Sequence, residues 1–269
     1  MKTILITGST DGIGKLVAIQ LAKEGHAVFL HGRNPEKLNA VINEVKQASS
    51  NKKVEGFVAD FSDLSAISAM GQDVNEKLSN LDVLINNAGV FKLQSEKTVN
   101  GLDIRFVVNY LAPYALTNSL LPLFKKSNTP RIINLSSAAQ APVSLEALAG
   151  RENIGMQAAY AQSKLALTMW SFELAKNWPF ATVIAVNPGS LLNTKMANEV
   201  YGQHWSPATK GSDILYDLAV SEEYKNSTGK YFDNDKGELK GAFAEAHSDA
   251  YRAKKIDELT TQTNKVLNK

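Results

Sequence analysis

The 269-residue chain contains no cysteine. That excludes disulfides, Cys-ligated zinc and a thiol nucleophile, and it fits a reducing compartment. Histidine is scarce: the four, at positions 26, 31, 204 and 247, show no metal-ligand spacing, so no metal site is expected. No apolar run approaches the roughly 18 residues that a membrane-spanning helix needs. A strand-like run starts at Thr3, directly after Met1 and Lys2, which leaves no room for a signal peptide. The expectation is a soluble, cytoplasmic protein without a membrane anchor. Charge of one sign is also lacking, since the formal net charge is only +2. That argues against nucleic acid or an anionic membrane as a partner.

What is present is enough apolar material for one continuous core, with 44% hydrophobic and 21% charged residues. Short β-rich runs alternate with helix-like segments: TILITG (3–8), AVFLHG (27–32), VEGFVAD (54–60), LDVLINNAG (81–89), RIINLSS (131–137) and ATVIAVNPG (181–189). A second helix opens at Pro35, and a long one is expected to run through about Phe124. A weaker run, GKYF (229–232), closes the series. Strands apolar on both faces and spaced by helices imply a parallel sheet covered on both sides. Right-handed crossovers make it an α/β, doubly wound sheet of the Rossmann type. No composition break marks a second domain, so 1–269 reads as a single domain with a charged helical tail over about 241–269.

Strand one ends in TGSTDGIG (7–14), with glycines at 8, 12 and 14. A tight turn without Cβ atoms lets backbone amides approach a pyrophosphate at a helix N-terminus. Strand two ends in HGRN (31–34). Gly32 stands where an acid would bind an adenosine ribose, and the Arg33 guanidinium suits a 2′-phosphate instead. NADP(H) is therefore favoured over NAD(H), although Asp11 carries the wrong sign for a phosphate neighbour.

In AAYAQSK (158–164), Tyr160 and Lys164 share one helix face. A cation one turn away stabilises tyrosinate and makes a phenol usable as an acid and base near neutrality. Ser137, at the end of strand five, can hydrogen-bond a substrate oxygen. A second pair with the same spacing, Tyr251 and Lys255, is about what chance supplies. Tyr251 sits in a charged stretch that reads as a solvated helix, without a strand-end serine before it or NPG after it.

With TGSTDGIG, NNAG (86–89), Ser137, YAQSK (160–164) and NPG (187–189) in this order, the chain resembles the short-chain dehydrogenase/reductase family over about residues 3–195. The 23-residue step from Ser137 to Tyr160, HGRN and the later STGKYF (227–232) resemble its NADP-dependent, retinol-dehydrogenase-like carbonyl reductase branch. Members of that branch often carry a membrane anchor. The resemblance implies an oxidoreductase in which Tyr160, Lys164, Ser137 and Asn109 are catalytic. It implies that Lys164 holds the nicotinamide ribose and that Asn109 helps position a water relaying protons to it. Gly8, Ser9, Thr10, Asp11, Gly12, Ile13 and Gly14 would line the phosphates, with Arg33 and Asn34 at the adenosine ribose. Asp60 and Phe61 would meet the adenine, Asn87, Ala88 and Gly89 would run along the cofactor, and Pro188, Gly189 and Thr194 would lie at its nicotinamide end. Family members often pair through the helices around Asn109 and Tyr160, so the apolar residues at 158–167 suit a homo-oligomer or plain core.

The long loop at 190–208, with Leu191, Leu192, Met196, Tyr201 and Trp205, is a candidate lid over a lipophilic aldehyde or ketone. The segment 138–157 borders the same cleft. Other function classes fit less well. A non-catalytic NADP(H) sensor has no need of a proton donor, and a methyltransferase needs neither Arg33 nor Tyr160. Ser136 and Ser137 lack the Gly-x-Ser-x-Gly elbow of a hydrolase. Asn226 opens an NST glycosylation acceptor, but nothing suggests secretion.

Overall fold

Segments of Val, Ile, Leu and Phe with no polar face are stable only when covered on both sides, and the central strands of an eight-stranded sheet meet that demand here. The structure, a computed structural model, describes residues 1–240 and 253–268; His247 and Tyr251 lie outside the described residues. The strands are β1 (Thr3–Ile6), β2 (Ala27–Gly32), β3 (Val54–Val58), β4 (Val83–Asn86), β5 (Arg131–Leu135), β6 (Thr182–Asn187), β7 (Lys230–Asp233) and β8 (Glu238–Lys240). Their order is β3-β2-β1-β4-β5-β6-β7-β8. Pairing is parallel through β7, so the carboxyl ends of the first seven strands share one edge. The sequence reading ends the sheet at GKYF. The structure adds β8, antiparallel to β7, through the turn DNDKG (233–237), where Gly237 takes φ +67°.

Helices fill the crossovers: α1 (Gly12–Lys23), α2 (Pro35–Ser49), α3 (Leu64–Lys77), α4 (Ile104–Phe106), α5 (Ala112–Ser119), α6 (Leu121–Phe124), α7 (Leu145–Leu148), α8 (Gly155–Asn177), α9 (Lys195–Tyr201), α10 (Ala208–Val220) and α11 (Ala253–Leu267). Side-chain caps start several of them. Asp11 accepts from the Gly12 N–H, Asn34 from Lys37 N–H and Asp63 from Ser65 N–H. Helices α1, α2 and α10 cover one face of the sheet; α3, α5 and α8 cover the other.

The long helix expected through Phe124 is interrupted. Val107–Leu111 form a π-helical segment between α4 and α5. Pro113 has no N–H to give the carbonyl of Asn109 four residues back, so the turn widens and leaves that carbonyl without its usual partner. Pro122 breaks the ladder again between α5 and α6. The tail also differs from expectation: its described part is not merely solvated. Ile256, Leu259 and Val266 of α11 are buried in the core cluster that also holds α8. The Thr263 hydroxyl accepts from the buried Tyr110 phenol at 2.7 Å and donates to Leu259 O. Leu165, Ala166 and Leu167, part of the face offered to a second subunit, are buried in the chain's own core. No helix among the described residues is long and apolar enough to cross a membrane.

Candidate active site

Strand order reverses at β1, whose neighbours are β2 and β4, and connections leaving in opposite directions open a crevice there. The TGSTDGIG loop and the NNAG loop line it and are pressed together. Gly8 takes φ +62°, and a Cβ there would lie 2.7 Å from Ala88 Cα. A Cβ at Gly14 would lie 2.4 Å from Asn87 Nδ2. The Asn87 amide donates to Thr7 O and Gly8 O, both at 2.8 Å, while Thr7 Oγ1 accepts from the N–H groups of Asn87 and Ala88 at 3.0 Å. Only glycine permits such an approach of backbone to backbone.

One histidine fixes this loop from beneath. The Gly8 N–H donates to His31 Nδ1 at 3.0 Å, so Nε2 carries the proton and donates to Ala59 O at 3.0 Å. Burial pulls the His31 imidazole down to about 4, and the ring stacks on Phe61 with centroids 4.1 Å apart. Ser9 turns inward too. Its hydroxyl donates to Ile6 O and accepts from the His31 N–H. Ser9 and Phe61 therefore send their side chains into the interior and leave only backbone for the cleft.

At the end of β2, a Cβ on Gly32 would lie 2.4 Å from Thr10 Cγ2, so an acidic side chain there would have to displace Thr10. Arg33 follows, exposed and without an ion pair among the described residues. Lys37 Nζ stands 2.9 Å from Asp11 Oδ2. Its hydrogen bond holds the Asp11 carboxyl below the usual carboxylate range and offsets the unfavourable sign noted in the sequence. Asn34 accepts from the Lys37 N–H. Asp60, exposed beyond β3, accepts from the Ser62 N–H and hydroxyl at 2.9 and 2.8 Å.

The opposite half of the crevice holds Tyr160 and Lys164. Lys164 is 4% exposed, and its Nζ donates to Leu135 O at 2.7 Å. Desolvation pulls it down to about 7. No carboxylate pairs with it among the described residues. Its ammonium lies 5.7 Å from the centroid of the Tyr160 ring, and the Phe91 ring packs on the other partner of the pair, 4.3 Å from Tyr160 between centroids. Asn109, in the π-helical segment, fastens the neighbouring loops. Its Oδ1 accepts from the Val90 N–H at 2.8 Å, and its Nδ2 donates to Val90 O and Ser163 Oγ, both at 3.0 Å. Ser163 Oγ in turn donates to Tyr160 O at 2.7 Å. Ser137 ends the β5 connection, with its Oγ accepting from the Ala139 N–H and its carbonyl from the buried Tyr231 phenol.

The end of β6 closes the crevice. Gly189 takes φ +125°. Thr194 caps α9 and reaches back over the first glycine loop, its Cγ2 3.7 Å from where a Gly12 Cβ would be. Gly211 of α10 meets Ile13 and Leu192 so closely that a Cβ would lie 2.5 Å from Leu192 Cδ1. In the 190–208 loop Leu192 is buried, whereas Trp205 is 72% exposed and so contributes nothing to the core.

A dinucleotide fits this arrangement on two grounds. Gly12, at φ +52°, puts no side chain between the first loop and Thr194, and the missing Cβ of Gly89 leaves space 3.5 Å from Lys164 Nζ and 3.4 Å from Asn109 Oδ1. A buried ammonium beside such a gap is matched to hydroxyl acceptors. Four participants escaped the sequence reading. His31 acts through register alone, since β2 sets it beside Gly8. Lys37 was legible as a lysine in the first turn after HGRN. Phe91 and Ser163 depend on contacts between elements that no local pattern displays.

The chain belongs to the short-chain dehydrogenase family, whose profile, described as short chain dehydrogenase, matches residues 2–205. It is an oxidoreductase of CH–OH and C=O groups that uses NAD(P). Within the family it falls with the retinol-dehydrogenase-like branch. It is 34% identical over 252 residues to retinol dehydrogenase 13 of Mus musculus, covering 86% of this chain and 75% of that one. It is 35% identical over 210 residues to polyprenol dehydrogenase of Homo sapiens, covering 74% and 63%. A solved structure from Escherichia coli CFT073 complexed with NADPH matches with TM-score 0.71 and 27% identity, over 87% of this chain and 96% of that one.

Because the folded site depresses His31 to about 4, the unfolded chain binds this proton first as pH falls below the ordinary value of about 6.5. Stability therefore falls between pH 6.5 and 4 by an amount on the order of 3 kcal/mol from this group. His31→Asn keeps an acceptor for Gly8 and removes the titration. Urea unfolding of both proteins across that range should show a steeper loss in the native chain; equal slopes would contradict the assignment.

Proposed function

We propose that this protein is an NADP(H)-dependent reductase that interconverts a lipophilic aldehyde or ketone with its alcohol, using Tyr160 as general acid and base. The observation that carries this reading is the buried Lys164 ammonium, 5.7 Å from the Tyr160 ring centroid and without a neutralising carboxylate among the described residues. A cation so confined is costly unless an anion forms beside it. The phenolate of Tyr160 is that anion.

When bound, the nicotinamide supplies or accepts the hydride. The chain handles the proton. In reduction, the Tyr160 hydroxyl gives its proton to the carbonyl oxygen as alkoxide character develops, and Lys164 Nζ stabilises the phenolate left behind. Ser137 Oγ hydrogen-bonds the same oxygen. We assign to the Asn109 carbonyl, released by Pro113, the anchoring of a water that returns protons to Lys164. Its side-chain amide is already engaged with Val90 and Ser163.

Arg33, Thr10 and Lys37 support NADP(H): the first is free to meet a 2′-phosphate, and the last neutralises Asp11. The NADPH complex of the Escherichia coli structure is consistent with this preference. Retinol and polyprenol dehydrogenases among the relatives support a lipophilic substrate. The exposed Met196 and Trp205 suit a lid over it.

Tyr160→Phe should lower turnover by at least about a hundredfold, the typical contribution of a positioned acid or base. NADPH affinity should stay within a fewfold. Steady-state rates and cofactor titration check this, and turnover surviving in the variant would move the proton chemistry elsewhere. Native protein should bind NADPH more tightly than NADH, and Arg33→Ala should narrow the ratio by about tenfold, as loss of a charged hydrogen bond predicts. A ratio unchanged by the substitution would exclude Arg33 as the phosphate partner.

A further inference from the structure

At Pro188 and Gly189 the chain leaves β6, and Pro188 has no N–H to continue a ladder. The Gly189 N–H donates to Asn187 Oδ1 at 3.3 Å, and further partners for this stretch come from the β7–β8 turn. Asn187 Nδ2 donates to Asp233 Oδ1 at 3.0 Å and Asp235 Oδ2 at 2.9 Å, and Asn187 O accepts from the Asn234 N–H at 3.1 Å. Asn234 Nδ2 donates to Pro188 O at 2.8 Å and to Lys210 O at 3.1 Å. Asp235 accepts from the Ser190 N–H at 2.9 Å and from its hydroxyl, while Lys210 Nζ lies 3.7 Å away. One turn thus joins the β6 exit to the start of α10, whose Gly211 rests on Leu192 and Ile13.

We propose that Asn234 and Asp235 are positioning residues that hold the Asn187–Ser190 backbone in place for the nicotinamide end of the cofactor. This rests on the reading above that Pro188, Gly189 and Thr194 meet that end. Several features favour positioning over simple fold support. The turn is at the sheet edge, Asp235 is exposed, and its contacts run to the Asn187 amide, the Ser190 N–H and hydroxyl and the Lys210 ammonium, none of which belongs to either core cluster. Gly189, at φ +125°, and Leu191, at φ +46°, stand in conformations that side chains rarely adopt. Such backbone persists only when neighbours over-determine it. The phosphate and adenosine subsites depend on a different set of bonds, made by Asn87, His31 and Asp11, so the two ends of the cleft can be loosened separately.

The test compares binding of the adenosine half alone, 2′,5′-ADP, with binding of NADPH, together with kcat, in Asn234→Ala, Asp235→Ala and the acceptor-retaining Asp235→Asn. Expected is 2′,5′-ADP affinity within about twofold of native in all three, and NADPH affinity and kcat lowered roughly tenfold in the alanine variants, as loss of one or two hydrogen bonds predicts. Asp235→Asn should recover most of the loss. Equal weakening of both ligands would mean general loosening and overturn the proposal, as would no change in either. If native protein prefers NADH, the 2′-phosphate reading fails. The same comparison with ADP-ribose and NADH then decides the positioning role on its own.

Discussion

A lysine ammonium sealed inside the protein is the constraint around which the site is arranged. Lys164 sits on α8 with one carbonyl partner, Leu135 O, and burial brings it to the margin between ammonium and amine near neutrality. A hydrophobic residue of that volume would be cheaper. On the proposed mechanism, a developing phenolate on Tyr160 and acceptors in the space left by Gly89 complete the coordination of Lys164. The buried ammonium thereby serves the phenolate that Tyr160 becomes when it gives up its proton.

Around that pair the fold supplies rigidity from three directions. The π-helical segment forced by Pro113 presents Asn109, which locks Val90 to α8 through Ser163 and so fixes the backbone at Tyr160. Asn87 and His31 weld the glycine loop to β4 and β2. The β7–β8 turn grips the exit of β6. Each device uses buried or backbone-directed hydrogen bonds, which specify geometry more than they add stability. That matches a site in which a proton and a hydride must reach one carbon–oxygen bond from fixed positions.

Much of this was legible in the chain itself. Apolar runs two faces deep announced the parallel sheet, because nothing else can bury such strands. Glycines at 8, 12 and 14 announced the close approach of loops that the backbone now displays. Tyr160 and Lys164 were readable from helical spacing once strand-end and loop motifs stood in register around them. What stayed hidden has physical causes. His31 looks like one more strand residue until pairing sets it under Gly8. The β8 strand is three residues long and defined by its partner, not by its composition. The break at Pro113 was a local signal overlooked beside a strong apolar period. The docking of α11 depends on Thr263 meeting Tyr110 across 153 positions, which periodicity within the helix cannot reveal.

The central claim, that the Lys164 cation tunes the Tyr160 phenol, is tested most directly by ultraviolet difference titration of that phenol. The Tyr160→Phe signal is subtracted, and native protein is compared with Lys164→Met. Methionine fills the buried site without charge, so the fold should tolerate it. The account predicts that the native phenolate forms well below the ordinary tyrosine value of about 10, and that Lys164→Met moves its formation to that value or above. Identical midpoints in the two proteins would contradict it.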